Sequence, residues 1–170
     1  MKTLILIRHA ESDITNMNLS DHARSINSNG QNECEKVFKW INNNKINIDK
    51  LLVSSAVRAQ ETMKLIFPGK LNTFTNSKLY LCTKLELINI IKETDDIVDT
   101  LAVIGHEPSI SETLIDLVGN TRPDLNKVLS NKYPTAALSL IVFNVVSWSN
   151  VSSKEGTFDV FLSPLMLDSE

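Results

Sequence analysis

Four consecutive apolar residues, Leu4-Ile5-Leu6-Ile7, run directly into Arg8 and His9. The run is too short to span a bilayer, and it lacks the polar alternation of a strand with one wet face. It fits a parallel strand buried on both sides, which requires helices covering both faces of a sheet. Arg8 and His9 then fall at the strand's carboxyl end, the edge at which open α/β sheets bind ligands. An imidazole there offers a nucleophilic nitrogen, and a guanidinium beside it holds a phosphate oxygen through paired N–H groups.

The same pattern returns twice. Leu51-Leu52-Val53 and Leu101-Ala102-Val103-Ile104 are short apolar strands, each followed by helix signals. Between the first two, Ser28 to Gln31 reads as a capping box. The helix after it places Cys34, Val37, Phe38 and Ile41 at i, i+3, i+4, i+7 spacing. Ser54-Ser55 is the expected cap of a second helix, with Ala59, Thr62, Met63 and Ile66 on one face and Pro68-Gly69 as its stop. A weaker strand is expected over Lys78 to Leu81. Thr83 to Glu86 is a second capping box, opening a helix that runs to about Thr94. Ser109 to Glu112 caps a last helix with Ile110, Leu114, Leu117 and Val118 inward, closed by Gly119. Ala137 to Phe143 and Thr157 to Leu162 read as two strands of a late hairpin. The expected architecture is a three-layer α/β sandwich, one domain over 1–170, with a mostly parallel central sheet and a C-terminal hairpin. Sheet order is not legible from periodicity.

Composition narrows the function. The 170 residues are 42% hydrophobic and carry a net charge of −3, so a sizeable core is available and a basic nucleic-acid footprint is not. Arg8 cuts the first apolar run too short for a signal peptide, and no later stretch is long enough to span a membrane. A soluble, cytoplasmic monomer without membrane contact is expected. Cys34 and Cys82 stand far apart in no metal or redox spacing and are expected to be reduced and buried. The histidines lack zinc-site spacing, so neither metal nor cofactor is expected, and His22 reads as an ordinary loop residue.

Three strand ends gather the polar residues. The first delivers Arg8 and His9, the second leads into Arg58 in the first turn of its helix, and the third delivers His106. Parallel strands bring all of these to one edge, and the N–H groups of a helix start can join Arg58 in holding an anion. Arginine occurs only at Arg8, Arg24, Arg58 and Arg122 in a chain that otherwise uses lysine, which suggests that the planar fork matters at those places. Arg24, in the loop after the first strand, can fold over the same edge as a second phosphate clamp.

These segments resemble the histidine phosphatase superfamily, which includes phosphoglycerate mutases and acid phosphatases. Leu4 to Ala10 is similar to its Arg-His-Gly segment, Val53 to Thr62 to its second arginine segment, and Val103 to Pro108 to its second histidine segment. The compact size and the Asp21, Arg24, Gly30 spacing are most similar to SixA-like phosphohistidine phosphatases. The resemblance implies a phosphoglycerate mutase-like fold with His9 as the nucleophile that becomes phosphorylated. Arg8, Arg58 and His106 would surround the phosphoryl group, and Arg24 would match the additional arginine of the SixA-like members.

The departures are Ala10 in place of glycine, and Ser25-Ile26 where Pro-Leu is commoner. No dedicated general acid is evident: Glu86 is explained by its cap, and neither Glu11 nor Asp21 has a matching role. Without an acid to protonate an alkoxide, the site suits a phosphoramidate, and so a phosphorylated protein, better than a phosphate monoester. Two readings stay open beside it. One is a small-molecule phosphomonoesterase on the same scaffold with Glu86 or Glu11 as acid, and the other is a non-catalytic phosphate-binding module.

Overall fold

The computed structural model describes residues 1–70, 72–123 and 125–169. Seven strands form one sheet in the order β3-β2-β4-β1-β6-β7-β5. In chain order these are β1 (Lys2–Arg8), β2 (Lys50–Ser54), β3 (Thr73–Asn76), β4 (Thr100–Gly105), β5 (Val118–Thr121), β6 (Leu138–Phe143) and β7 (Gly156–Leu162). Only β6 runs against the rest: β1 pairs with β4, β2 with β3 and β4, and β5 with β7, all in parallel. The mostly parallel α/β sandwich and the late hairpin are therefore as expected.

Side-chain alternation along β1 explains its unbroken apolar run. Leu4 and Leu6 join a core with Leu101 and Val103 of β4 and with α3 (Lys84–Lys92) and α4 (Ser109–Leu117). Ile5 and Ile7 face the other way, joining Ala102 and Ile104, α1 (Ser28–Asn43) and α2 (Val57–Ile66). Both faces are dry, so neither could carry a polar residue. The strand order accounts for this layering, since the right-handed rule for parallel crossovers puts outgoing and returning helices on opposite faces: the chain steps outward from β1 through β2 to β3, then returns to insert β4 between β2 and β1. Arg8 and Gly105 are register partners, and Ser54 ends the neighbouring strand, so three strand ends share one edge.

Element ends differ from the sequence reading in instructive ways. The strand expected at Lys78 to Leu81 lies earlier, at Thr73–Asn76, and Ser77–Leu79 is a 3-10 turn. The apolar pattern there arises because Leu79 is buried beneath a turn, whereas the edge strand is mostly polar. Helix α1 is capped by Asn27, whose side chain accepts from Gly30 N, one residue before the expected capping box. Ala56 and Pro108 occupy the N-cap positions of α2 and α4 without side-chain caps, so the serines expected there serve elsewhere. Val118 is buried as expected, but with Gly119 it forms the short edge strand β5. The capping box at Thr83 and Glu86 is present in full, and Cys34 and Cys82 are free and buried. Among the described residues, no helix is long and apolar enough to cross a membrane.

The loop leaving β1 is held down by backbone. Ser12 bridges to Ile26, Asp13 N donates to Ser25 O at 2.9 Å, and Asn27 N donates to Glu11 O at 3.0 Å. Ile26 N also donates to Glu61 Oε2 on α2, so Ser25-Ile26 is fixed without a proline. Gly30 lies so close that an added Cβ would sit 2.3 Å from Glu11 O. Helix propensity alone predicts that Gly30→Ala stabilises by about 1 kcal/mol. The backbone clash predicts the reverse, a loss of roughly 1–3 kcal/mol, since the obstacle is no flexible side-chain end. Urea unfolding of the two proteins decides between them.

Candidate active site

Four residues from three strand ends meet at this edge. His9 follows β1 and is 8% exposed; its Nδ1 lies 2.7 Å from Ala10 O and its Nε2 3.2 Å from Arg58 Nε. A carbonyl only accepts and a guanidinium only donates, so Nδ1 carries the hydrogen and Nε2 presents its lone pair. His106 follows β4 and is arranged in the opposite sense. Its Nδ1 faces Arg58 Nη2 at 3.4 Å, and its Nε2 lies 2.7 Å from Ser54 Oγ at the end of β2. The two imidazole centroids are 5.0 Å apart.

Arg58 sits in the first turn of α2 and is 3% exposed. Besides the two histidines it donates from Nη1 to Asp21 O at 2.6 Å and from Nη2 to Asp21 Oδ2 at 2.9 Å. The start of α2 is tied to the end of the strand that carries His9 through Thr62, which accepts from Ala10 N and donates to Arg58 O. Arg8 donates from Nη1 to Tyr133 O at 2.7 Å, while its Nε–H is buried with no partner among the described residues. A buried donor without an acceptor costs roughly 1–3 kcal/mol, and an anionic oxygen in the site would supply one. Arg8 and His9 line a cleft of about 430 Å³ with Arg24, Asp13, Ile14 and Thr135. Arg24 pairs with Asp21 Oδ1 on the same loop. The larger groove, about 860 Å³, lies between α1 and α2 and holds none of the five candidates.

The candidate acids are otherwise engaged. The Glu86 carboxylate accepts from Thr83 N and Oγ1, and Glu11 accepts from Asn27 Nδ2. Asp21 is held well below the ordinary carboxylate range, first by the Tyr80 hydroxyl and then by the Arg58 and Arg24 guanidiniums, against some desolvation. Burial, which raises a carboxylate, lowers an imidazole. It pulls His9 down to about 3 and His106 to about 4, with Arg58 and Arg8 adding repulsion in both cases. Both rings are neutral at physiological pH, which leaves the Nε2 lone pair of His9 free of a proton.

Several contributors escaped the sequence reading. Ser54 holds His106 instead of capping a helix, and Asp21 spans Arg58 and Arg24. His22 belongs to the rim: its Nε2 lies 2.9 Å from Ser55 Oγ, and its ring meets Tyr80 edge-on. Tyr80 reaches Asp21 from a segment 59 residues away, and no local pattern marks it.

No protein-family profile matches the chain. An uncharacterized protein of Mycobacterium leprae is 29% identical over 163 residues, covering 93% of this chain and 99% of that one. Phosphohistidine phosphatase SixA of Escherichia coli is 23% identical over 171 residues, covering 96% and 95%. The solved structure of the protein histidine phosphatase SixA complexed with tungstate superposes with a TM-score of 0.73 at 21% identity, over 97% of this chain and 99% of that one. The chain thus has the phosphoglycerate mutase-like fold of the histidine phosphatases, as the sequence resemblance implied.

The buried neutral histidines set a pH dependence. Their ordinary pKa is 6.5, so between pH 6.5 and about 4 the unfolded chain binds protons that the folded chain refuses. Stability therefore falls as pH drops through that window, by on the order of a few kcal/mol in total. The Asp21 carboxylate adds a loss of the same sign below its ordinary value of 3.8. Melting temperatures from pH 7 to 4 should decline steeply, and His9→Asn should flatten the slope. A flat parental profile would contradict the placement of these rings.

Proposed function

We propose that this protein is a phosphatase working through phosphorylated His9, and that its substrate is a phosphohistidine side chain on another protein. The observation that carries the reading is the His9 imidazole, with Nδ1–H tied to Ala10 O and the Nε2 lone pair held against Arg58 Nε. That nitrogen attacks phosphorus, forming an N–P bond as the bond to the leaving group breaks in line with it. The leaving imidazole takes its proton from solvent. Water then attacks the phosphoenzyme, releases phosphate and restores neutral His9. Arg8 and Arg58 neutralise charge on the equatorial oxygens throughout, which is the main catalytic demand of phosphoryl transfer. Arg24 extends the positive rim. His106 faces Arg58 through Nδ1, the nitrogen that would meet a phosphate oxygen carrying a proton.

The engaged carboxylates support the substrate class. An alkoxide needs a proton donor as it leaves, whereas a phosphoramidate nitrogen is expelled more easily. Glu86 is bound into its cap, Glu11 accepts from Asn27, and Asp21 is held ionised by its three donors. A cleft opening directly beside His9 suits a side chain presented on a protein surface.

Phosphate release from a histidine-phosphorylated phosphotransfer protein tests this. The parent should release phosphate with an acid-labile phosphoenzyme intermediate, and His9→Ala should fall by at least about 10³-fold. Faster turnover of small phosphate esters than of the phosphoprotein would overturn the substrate assignment. Glu86→Ala separates the acid question: activity should stay within about twofold, while Tm drops by roughly 2–4 °C through loss of the cap.

A further inference from the structure

The phosphate site depends on how one guanidinium is turned, and that orientation is set outside the site. Arg58 presents its N–H groups in a rigid plane. Nε and one side of Nη2 face His9 and His106, while Nη1 and the rest of Nη2 face Asp21 through its backbone carbonyl and Oδ2. Asp21 therefore decides which edge of Arg58 meets the two imidazoles. Yet the Asp21 side chain is 47% exposed, and a half-exposed carboxylate on a loop loses an ion pair's geometry to side-chain freedom and hydration.

Tyr80 supplies the missing restraint. Its hydroxyl donates to Asp21 Oδ2 at 2.7 Å, the same oxygen that accepts from Arg58, while Arg24 engages Oδ1. The ring is itself confined, meeting His22 edge-on at 4.8 Å and His106 at 5.5 Å between centroids. Its loop is anchored on either side by Leu79 and Cys82, which are 1% and 7% exposed. Tyr80 is thus pinned from both chain directions with its hydroxyl on Asp21.

We propose that Tyr80 is a positioning residue of the phosphate site: through Asp21 it orients the Arg58 guanidinium toward His9. The proposal rests on the reading of this edge as an oxyanion site, and it adds a residue contributed by the connection between β3 and α3. The hydrogen-bonded series Tyr80, Asp21, Arg58, His9 also links the outer rim to the proposed nucleophile.

Tyr80→Phe keeps the ring contacts and removes only the hydroxyl, and tungstate alone is the probe. Calorimetry at pH 8 should give a Kd about 3–10-fold weaker than the parent, the effect expected of one hydrogen bond to a charged group. Tm should stay within about 2 °C of the parent. In NMR spectra, the Arg58 Nε–H resonance, distinct in the parent because it is held on His9 Nε2, should shift or broaden. Unchanged affinity with an unmoved Arg58 resonance overturns the proposal. So does weaker binding that comes with a large fall in Tm and an unmoved resonance, since Tyr80 would then act only on stability. Should Tyr80→Phe not fold, Asp21→Asn must weaken tungstate binding about tenfold or more and displace the Arg58 signal; parental behaviour there is equally fatal. A parent that binds no tungstate would strike at the oxyanion-site reading instead, while the Arg58 resonance would still report on the link through Tyr80.

Discussion

A buried guanidinium holds together the sheet edge at the ends of β1, β2 and β4. Arg58 is 3% exposed, and a charge removed from water is tolerated only when its donors find acceptors. Those acceptors come from three other places in the chain: His9 after β1, Asp21 in the following loop, and His106 after β4. The cation therefore fixes how the loop after β1 and the start of α2 sit against the ends of β1 and β4, two strands already paired along their length. Thr62, one turn further along the same helix, ties that helix to Ala10 and so fixes the strand end that bears His9.

Burial first, and then the same concentration of positive charge, explains why the histidines remain neutral. Burial disfavours the imidazolium, and neighbouring arginines disfavour it further. An acidic partner would reverse that, and no carboxylate hydrogen-bonds to either ring among the described residues. Asp21, the nearest acid in the network, spends its charge on Arg58, Arg24 and the Tyr80 hydroxyl. The site is in this way provided with imidazole lone pairs and fixed cations, an arrangement that attracts an anion.

The departures from the family pattern find local reasons. Ala10 replaces a glycine at a position that is fully buried and not in the left-handed region, so a Cβ costs nothing in backbone strain there. The glycine this region does require is Gly30, where α1 passes over the backbone of Glu11. Ser25-Ile26 needs no proline because backbone bonds to Ser12 and Asp13, and the Glu61 carboxylate, already fix the turn.

What the sequence by itself determined was the central parallel strands and the gathering of Arg8, His9, Arg58 and His106 at one edge beyond them. Strands buried on both faces must be wholly apolar, so β1, β2 and β4 announce themselves, and the polar residue that ends each run lies at one shared edge of the sheet. The Thr83 cap was legible for a similar reason, since its two partners lie three residues apart. Only the tertiary structure decided the rest. Edge strands β3 and β5 bury too little to carry a pattern, and Ser54 serves His106 because β4 inserts beside β2. Tyr80 meets Asp21 across 59 residues, a contact set by how two loops pack over a sheet edge, and no spacing within either loop encodes it.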